Sequence, residues 1–511
     1  MAGEILDASA VTADVDLSCD VCIVGSGAGG AVLAAGLCER GLNVVMLEAG
    51  PYKTRRDFDL RESTAYPMLY QDRMSRATSD LGIAILQGRS VGGTTTVNWT
   101  TCYRTPDRIL QLWRRRHGLE LTAEELAPHF EAVEQRLSIT EWPAGMANPN
   151  NQVLRRGCDA LGWASSTLKR NVRGCANSGY CGLGCPVDGK QAMHVTYLPD
   201  ALRAGLRLFA EARVDRLEVS GDRVVAVHAR IVSDDLPGEG PRITVRPKVA
   251  VSSAGAINGP MLLIRSGLGQ DGPVGRRTFL HPVVGVAGRH ARPIRPYDGA
   301  PQSAASHQFI DRGPDKVGFF LEAAPLHPVL AGIASPWQGA FATDFMRDLS
   351  HVGMLIALQV DGVMDGDEGG TVSLKPDGRL DLDYPIRPHL VESFRASTLA
   401  LVQLTLASGA ERATTLHVDP LQFTDATDLS AIDAAPYGAH EHAIFSAHQM
   451  GGCAMGPDPA TSVVDLELRH HTVPNLFVVD GSVFPTALGV NPSQSVYGLA
   501  HRARDAVATA V

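Results

Sequence analysis

The segment "CDVCIVGSGAGGAVLAAGLCERGLNVVMLEAG", Cys19 to Gly50, constrains the fold more than any other stretch of the chain. Val21 to Val24 is an unbroken apolar run and reads as a buried strand. Gly25, Gly27 and Gly30 follow in G-x-G-x-x-G order at the strand-to-helix turn. Ala31 to Arg40 then reads as a helix, and Val44 to Leu47 as a second strand ending at Glu48. Glycines at such a turn let the backbone approach a pyrophosphate, and the helix N-terminus offers it unpaired N–H groups. Glu48 stands roughly 20 residues beyond the turn, where an acid bonds a ribose hydroxyl. An ordinary tight turn would also use three glycines, but it leaves Glu48 unexplained. The segment is therefore a dinucleotide-binding βαβ unit, and by itself it does not choose between FAD and NAD.

The bulk numbers narrow the class. A chain of 511 residues is too long for one compact core, so two domains or one elaborate one are expected. Hydrophobic residues at 44% and charged residues at 20% describe an ordinary soluble globular protein. A net charge of −9 argues against a nucleic-acid partner, which selects for a basic face. The dense basic run "LWRRRHG", Leu112 to Gly118, reads as a solvated helix face. The first twenty residues hold no Lys or Arg and no apolar core, so no secretory signal is expected. Apolar runs such as Val352 to Leu358 fall far short of the roughly 20 residues a membrane span needs. Nine cysteines without an export signal read as reduced thiols, and the expected location is cytoplasmic.

A second motif, "GRSVGGTTTVNWTTCYRTP" from Gly88 to Pro106, has no apolar period. It reads as a loop whose backbone lies against something flat or charged. Here the chain resembles the glucose–methanol–choline (GMC) family of flavoprotein oxidoreductases. "AGAINGPMLLIRSGLG", Ala254 to Gly269, resembles that family's second signature, with Gly259 where Ser or Thr is usual. The resemblance runs from about Cys19 over nearly the whole chain. It implies FAD, contacted by Gly88, Gly92, Gly93, Thr94 and Asn98 in the loop, by Val214 at the adenine, and by Asp480 in "NLFVVDGSVFP" at the flavin side chain. Members that attach FAD covalently often carry a histidine just before the loop asparagine. Val97 precedes Asn98 here, so FAD is expected to bind non-covalently.

The expected fold is α/β, a Rossmann-like FAD-binding domain interleaved with a mixed-sheet α+β substrate-binding domain. The expected FAD-binding parts are residues 15–130, 200–280 and 441–511, with a connecting, substrate-side segment at 131–199 and the substrate-binding domain at 281–440. "ARVDRLEVSGDRVVAVHARI", Ala212 to Ile231, alternates like a hairpin turning at Ser220 to Asp222. Pro247 to Gly255 reads as another buried strand. Thr122 and Glu125 form a capping box opening an amphipathic helix. Aliphatic patches between 281 and 440 hint at a hydrophobic or aromatic alcohol, although such patches usually serve a core.

Near the C-terminus, Asn491 precedes Pro492, and Val496, Leu499, Ala500, Ala503 and Val507 recur at helical spacing. Read locally, Asn491 is an N-cap and Pro492 opens the first turn. His448 in "FSAHQMGGCAMG" reads locally as a core histidine. The resemblance gives both a second reading, because GMC members place a His before "GG" and a His or Asn in the C-terminal "NP" turn, both facing the flavin. It implies that His448 takes the alcohol's proton and that Asn491 orients the alcohol oxygen. An alcohol is nearly as weak an acid as water, whose pKa is about 15.7, so hydride loss from its carbon needs that proton removed or shared.

Cys175, Cys181 and Cys185 sit at C-x5-C-x3-C, without the C-x2-C clip of zinc or ferredoxin sites. They read as a structural, redox-sensitive loop rather than a metal site. "GYCGLGCPVDGKQAMHVTYLPDA" resembles the long-chain alcohol oxidase and bacterial dehydrogenase branch of the family. His440 and His442 look ligand-like but read as surface, so no metal is expected. The expected function is FAD-dependent oxidation of an alcohol by hydride transfer, with oxygen, a quinone or a cytochrome as electron acceptor. A flavoprotein lyase or another non-oxidative enzyme of the same fold is the alternative.

Overall fold

The computed structural model describes residues 3–233, 240–269 and 272–511. Its first sheet is built around the Cys19 to Gly50 segment. The strands are β1 (Glu4–Leu6), β2 (Val15–Val24), β3 (Val44–Leu47), β4 (Arg207–Phe209), β5 (Ala212–Ser220), β6 (Arg223–Ile231), β7 (Arg242–Ser252) and β8 (Leu476–Val478). They run in the order β1-β4-β3-β2-β7-β6-β5, with β8 also on β7. The pairs from β1 to β7, and β7 with β8, are parallel. Strand β6 pairs with Arg242–Val245 of β7 and β8 takes over at Ala250–Ser252, so one strand serves two neighbours on the same edge. Buried on both faces, β2 and β3 end in near-continuous Val, Ile, Leu and Met runs, as parallel strands must.

Helix α1 (Ala28–Glu39) starts three residues earlier than the apolar run suggested, because the turn glycines themselves enter the helix. Strand β2 likewise extends well before Val21. The β5–β6 hairpin closes with Ser220 opposite Arg223, leaving Gly221 and Asp222 as a two-residue turn with Gly221 at φ 61°. The Thr122/Glu125 capping box is present at the start of the helix Ala123–Arg136, and that helix packs on the C-terminal helix Ser493–Thr509. In the helix Asp107–His117, Leu112 and Trp113 are buried and Arg114, Arg115 and Arg116 exposed, the solvated face read from the sequence.

A nine-stranded sheet forms the second layer. Val283–Arg289 lies at its middle, antiparallel to Val352–Gln359, to Arg412–Thr415 and, at Val283 alone, to Phe445. The 20-residue helix Pro388–Ala407 packs against its central strands. A four-stranded sheet containing Arg276–Phe279 and Met450–Gly451, and a three-stranded one containing Thr101–Cys102, complete the framework. Mixed sheets of this kind on a Rossmann-like half are the architecture expected from the sequence.

Candidate active site

The turn after β2 is shaped by close approaches. Gly25 has φ 99°, and a side chain there would overlap the Ser253 carbonyl. On Gly29 it would overlap the Val479 carbonyl, and on Gly30 the Gly25 carbonyl. The first helix is thus seated directly on two strand ends. Gly27 and Gly93 pass so closely that a Cβ on Gly93 would lie 2.7 Å from the Gly27 Cα. Glu48 accepts from the Ser26 N–H (2.9 Å), the Ser26 hydroxyl (2.7 Å) and the Gly50 N–H (2.7 Å), and burial raises its pKa.

A cavity of about 1300 Å³ runs from this turn to the second sheet. Gly25, Gly27, Glu48, Gly88, Gly93, Thr94, Asn98, Val214, Asp480, His448 and Asn491 all line it. Gly30 and Gly92 do not. Gly30 lets the helix close on the turn, and Gly92 at φ 96° bends the loop. The Gly88 N–H donates to Thr94 Oγ1 (3.1 Å), which folds the loop back on itself. Asp480 accepts from the N–H groups of Gly255 and Ser482, each at 2.8 Å, and burial raises its pKa. The carbonyl oxygen of the Asn98 side chain is buried without a partner. A glycine cradle, a hydroxyl-rich loop, an unpaired amide oxygen and this volume fit an FAD molecule, with the residues just named as those that would hold it.

His448 follows the strand Ile444–Ser446 of the second sheet, and Asn491 precedes the helix packed on α1. The fold brings them together, with the Asn491 amide 3.2 Å from His448 Nε2. The N-cap reading of Asn491 is corrected here. Pro492 occupies the position before the helix, no side chain caps it, and the Asn491 Oδ1 has no partner. Nor is His448 packed away as a core residue, since it is half-buried and opens on the cavity. Burial pushes its pKa down to about 4, so the ring is neutral at neutral pH.

Two groups around this pair were not singled out in the sequence. His281, fully buried, places Nδ1 3.1 Å from His448 Nδ1. Glu322, also fully buried, accepts from Gln302 Nε2 at 2.6 Å and lies beside Asn491, and burial pushes its pKa up to about 8. Both lie on the second sheet or its approaches, and no local motif marks either one. Only the long-range pairing of strands reveals them.

The loop holding Cys175, Cys181 and Cys185 closes around Lys190, whose Nζ donates to the carbonyls of Thr96, Asn98 and Cys181. The loop thereby buttresses the Gly88 to Pro106 segment from behind. All nine cysteines are free thiols. Among the described residues no group of three or more His, Cys, Asp or Glu is arranged to hold a metal ion. His440 is exposed, but His442 is buried, 4.4 Å ring to ring from His417, which corrects its surface reading. No described helix is long and apolar enough to cross a membrane.

Known proteins resemble this chain over most of its length. Two family models described as GMC oxidoreductase match residues 61–283 and 367–500. A GMC-type oxidoreductase of Mycobacterium tuberculosis is 31% identical over 488 residues, covering 94% of this chain and 74% of that protein. A long-chain-alcohol oxidase of Arabidopsis thaliana is 30% identical over 508 residues, covering 95% and 68% respectively. The solved structure of pyridoxine 4-oxidase from Mesorbium loti superposes with a TM-score of 0.72 at 21% identity, over 96% of this chain and 99% of that one, a likeness of fold alone. This chain belongs to the GMC oxidoreductases, a family of flavoproteins.

Proposed function

We propose that the protein oxidises an alcohol to an aldehyde or ketone, with a hydrophobic or aromatic primary alcohol as the preferred substrate. The observation that carries this reading is the His448–Asn491 pair, distant in sequence and 3.2 Å apart on the cavity wall. FAD, when bound, supplies the two-electron acceptor for the hydride. The protein's own residues bind the alcohol, orient it and manage its proton. Asn491 fixes the alcohol oxygen, so that one hydrogen on its carbon is presented consistently. His448, neutral at the working pH, takes the hydroxyl proton as the hydride leaves. Tyr70, Leu86, Val97 and Trp99 line the same cavity and favour an apolar substrate body, in keeping with the long-chain-alcohol oxidases among the relatives. Val97 offers no nucleophile before Asn98, which supports non-covalent FAD. Oxygen, a quinone or a cytochrome would then reoxidise it.

His448→Ala tests the assignment. The variant should keep its yellow colour and lose about 10²–10⁴-fold in the rate of alcohol-driven flavin reduction. Reduction at a near-normal rate would remove His448 from the mechanism.

A further inference from the structure

The hydrogen bonds around His448 run in one direction, and that direction fixes where its proton sits. The Gly489 N–H donates to His281 Nε2 at 3.1 Å. A backbone N–H can only donate, so Nε2 of His281 carries no proton, and the neutral ring carries its proton on Nδ1. That Nδ1 lies 3.1 Å from His448 Nδ1, which must accept. Neutral His448 then holds its own proton on Nε2, facing Asn491 at 3.2 Å. An N–H there needs an oxygen, and the Asn491 Oδ1 is the one at hand. Which end of an amide is oxygen is settled by its hydrogen bonds. Turning the Asn491 amide to meet His448 with Oδ1 gives that buried oxygen the partner it otherwise lacks.

His281 is held for this task at a conformational cost. It is a buried non-glycine residue with φ 44°, immediately before Pro282, a position that disfavours helical conformations. The carboxylate of Asp361, itself fully buried, clamps it by accepting from the Leu280 N–H (2.7 Å) and the His281 N–H (3.0 Å), with the Tyr384 hydroxyl at 2.6 Å behind. Strained, over-determined backbone of this kind persists where geometry matters to function. Both rings are kept neutral by burial, and the Arg108 guanidinium further disfavours a second proton on His281.

We propose that His281 is a positioning residue that fixes the tautomer of His448, holding its proton on Nε2 in the substrate-free protein. His448 then meets the cavity as a hydrogen-bond donor. It can accept a proton at Nε2 only once the proton it holds there has left for the cavity. This consequence rests on the reading of His448 as the proton acceptor, whereas the tautomer itself does not.

The test is NMR of the oxidised holoprotein carrying nitrogen-labelled histidine near neutral pH, with the His448 signals identified by their loss in His448→Gln. A directly bonded proton on Nε2 and a bare Nδ1 are expected, and the reverse pattern would overturn the proposal. In His281→Leu, which cannot donate, the His448 signals should move to values averaged over both tautomers. An unchanged Nε2–H signature in that variant would show that His281 does not set it. If His281→Leu does not fold, the wild-type spectrum still decides. A failure of alcohol oxidation with the Nε2–H signature present would strike the proposed function and leave the tautomer assignment standing.

Discussion

At Gly259, the second residue of the helix Asn258–Arg265, a Cβ would lie 3.6 Å from Asp480 Oδ2, 3.7 Å from Ser252 Oγ and 3.8 Å from Ser482 Oγ. Those are ordinary contact distances, and both serine hydroxyls are buried without partners. Gly259→Ser should therefore stabilise the holoprotein by about 0.4–1 kcal/mol, through a less flexible unfolded chain and a hydroxyl for the two serines. Denaturant unfolding of the two proteins side by side measures it, and a loss of stability would mean the space is already filled. Asn491 shows how far residue-level reading reaches. Its place before Pro492 is equally a cap and a site residue in sequence, and only the position of its amide against His448 separates the two. His281 carried no signal at all, because its φ and its partners Gly489 and Asp361 come from distant parts of the chain.

Among the elements, α1 and its flanking strands were legible because every determinant is local, from the apolar runs to the turn glycines and the acid. The hairpin at Gly221 and the capping box at Thr122 were legible for the same reason. The register of the second sheet was not, since Val283–Arg289 finds its partners at Val352–Gln359, Arg412–Thr415 and Phe445, all far along the chain. Local periodicity carries no information about such pairings. The close seating of α1 gives a sharp expectation. Gly29→Ala would drive a methyl into the Val479 carbonyl, which is backbone and cannot swing aside. Overpacking of this kind costs roughly 1–3 kcal/mol. The displaced helix N-terminus should also weaken FAD retention, so the variant should purify with less flavin per protein than the parent. A variant that keeps its full flavin complement would show that this helix end does not grip the cofactor.

For the molecule as a whole, buried titratable groups set the pH range of stability. Burial pushes the pKa of His290, His417 and His470 down to about 4 and of His194 and His442 to about 3. In the unfolded chain each titrates near 6.5. Below that value the unfolded state binds more protons, so stability falls as pH drops from about 6.5 toward 4. Burial raises Asp361 to about 7 and Glu322 to about 8, so the folded state holds their protons more tightly. Those two contribute stability that is greatest below their unfolded pKa values near 4 and is lost progressively as pH rises from there through 7 to 8. The histidines dominate the acid side and the two acids the other, so unfolding free energy should peak roughly between pH 6 and 7. A denaturation series across pH checks this, and stability still rising at pH 8 would contradict it.

The central claim is that His448 and Asn491 serve alcohol oxidation by a bound flavin. Its most direct test is anaerobic mixing of the purified yellow protein with aliphatic, benzylic and sterol alcohols while the flavin absorbance is followed, with air admitted afterwards. The account predicts bleaching by at least one lipophilic alcohol class, with the speed of recovery in air separating oxygen from another electron acceptor. A flavin that stays oxidised with every alcohol would contradict it and favour a non-oxidative role for the same fold.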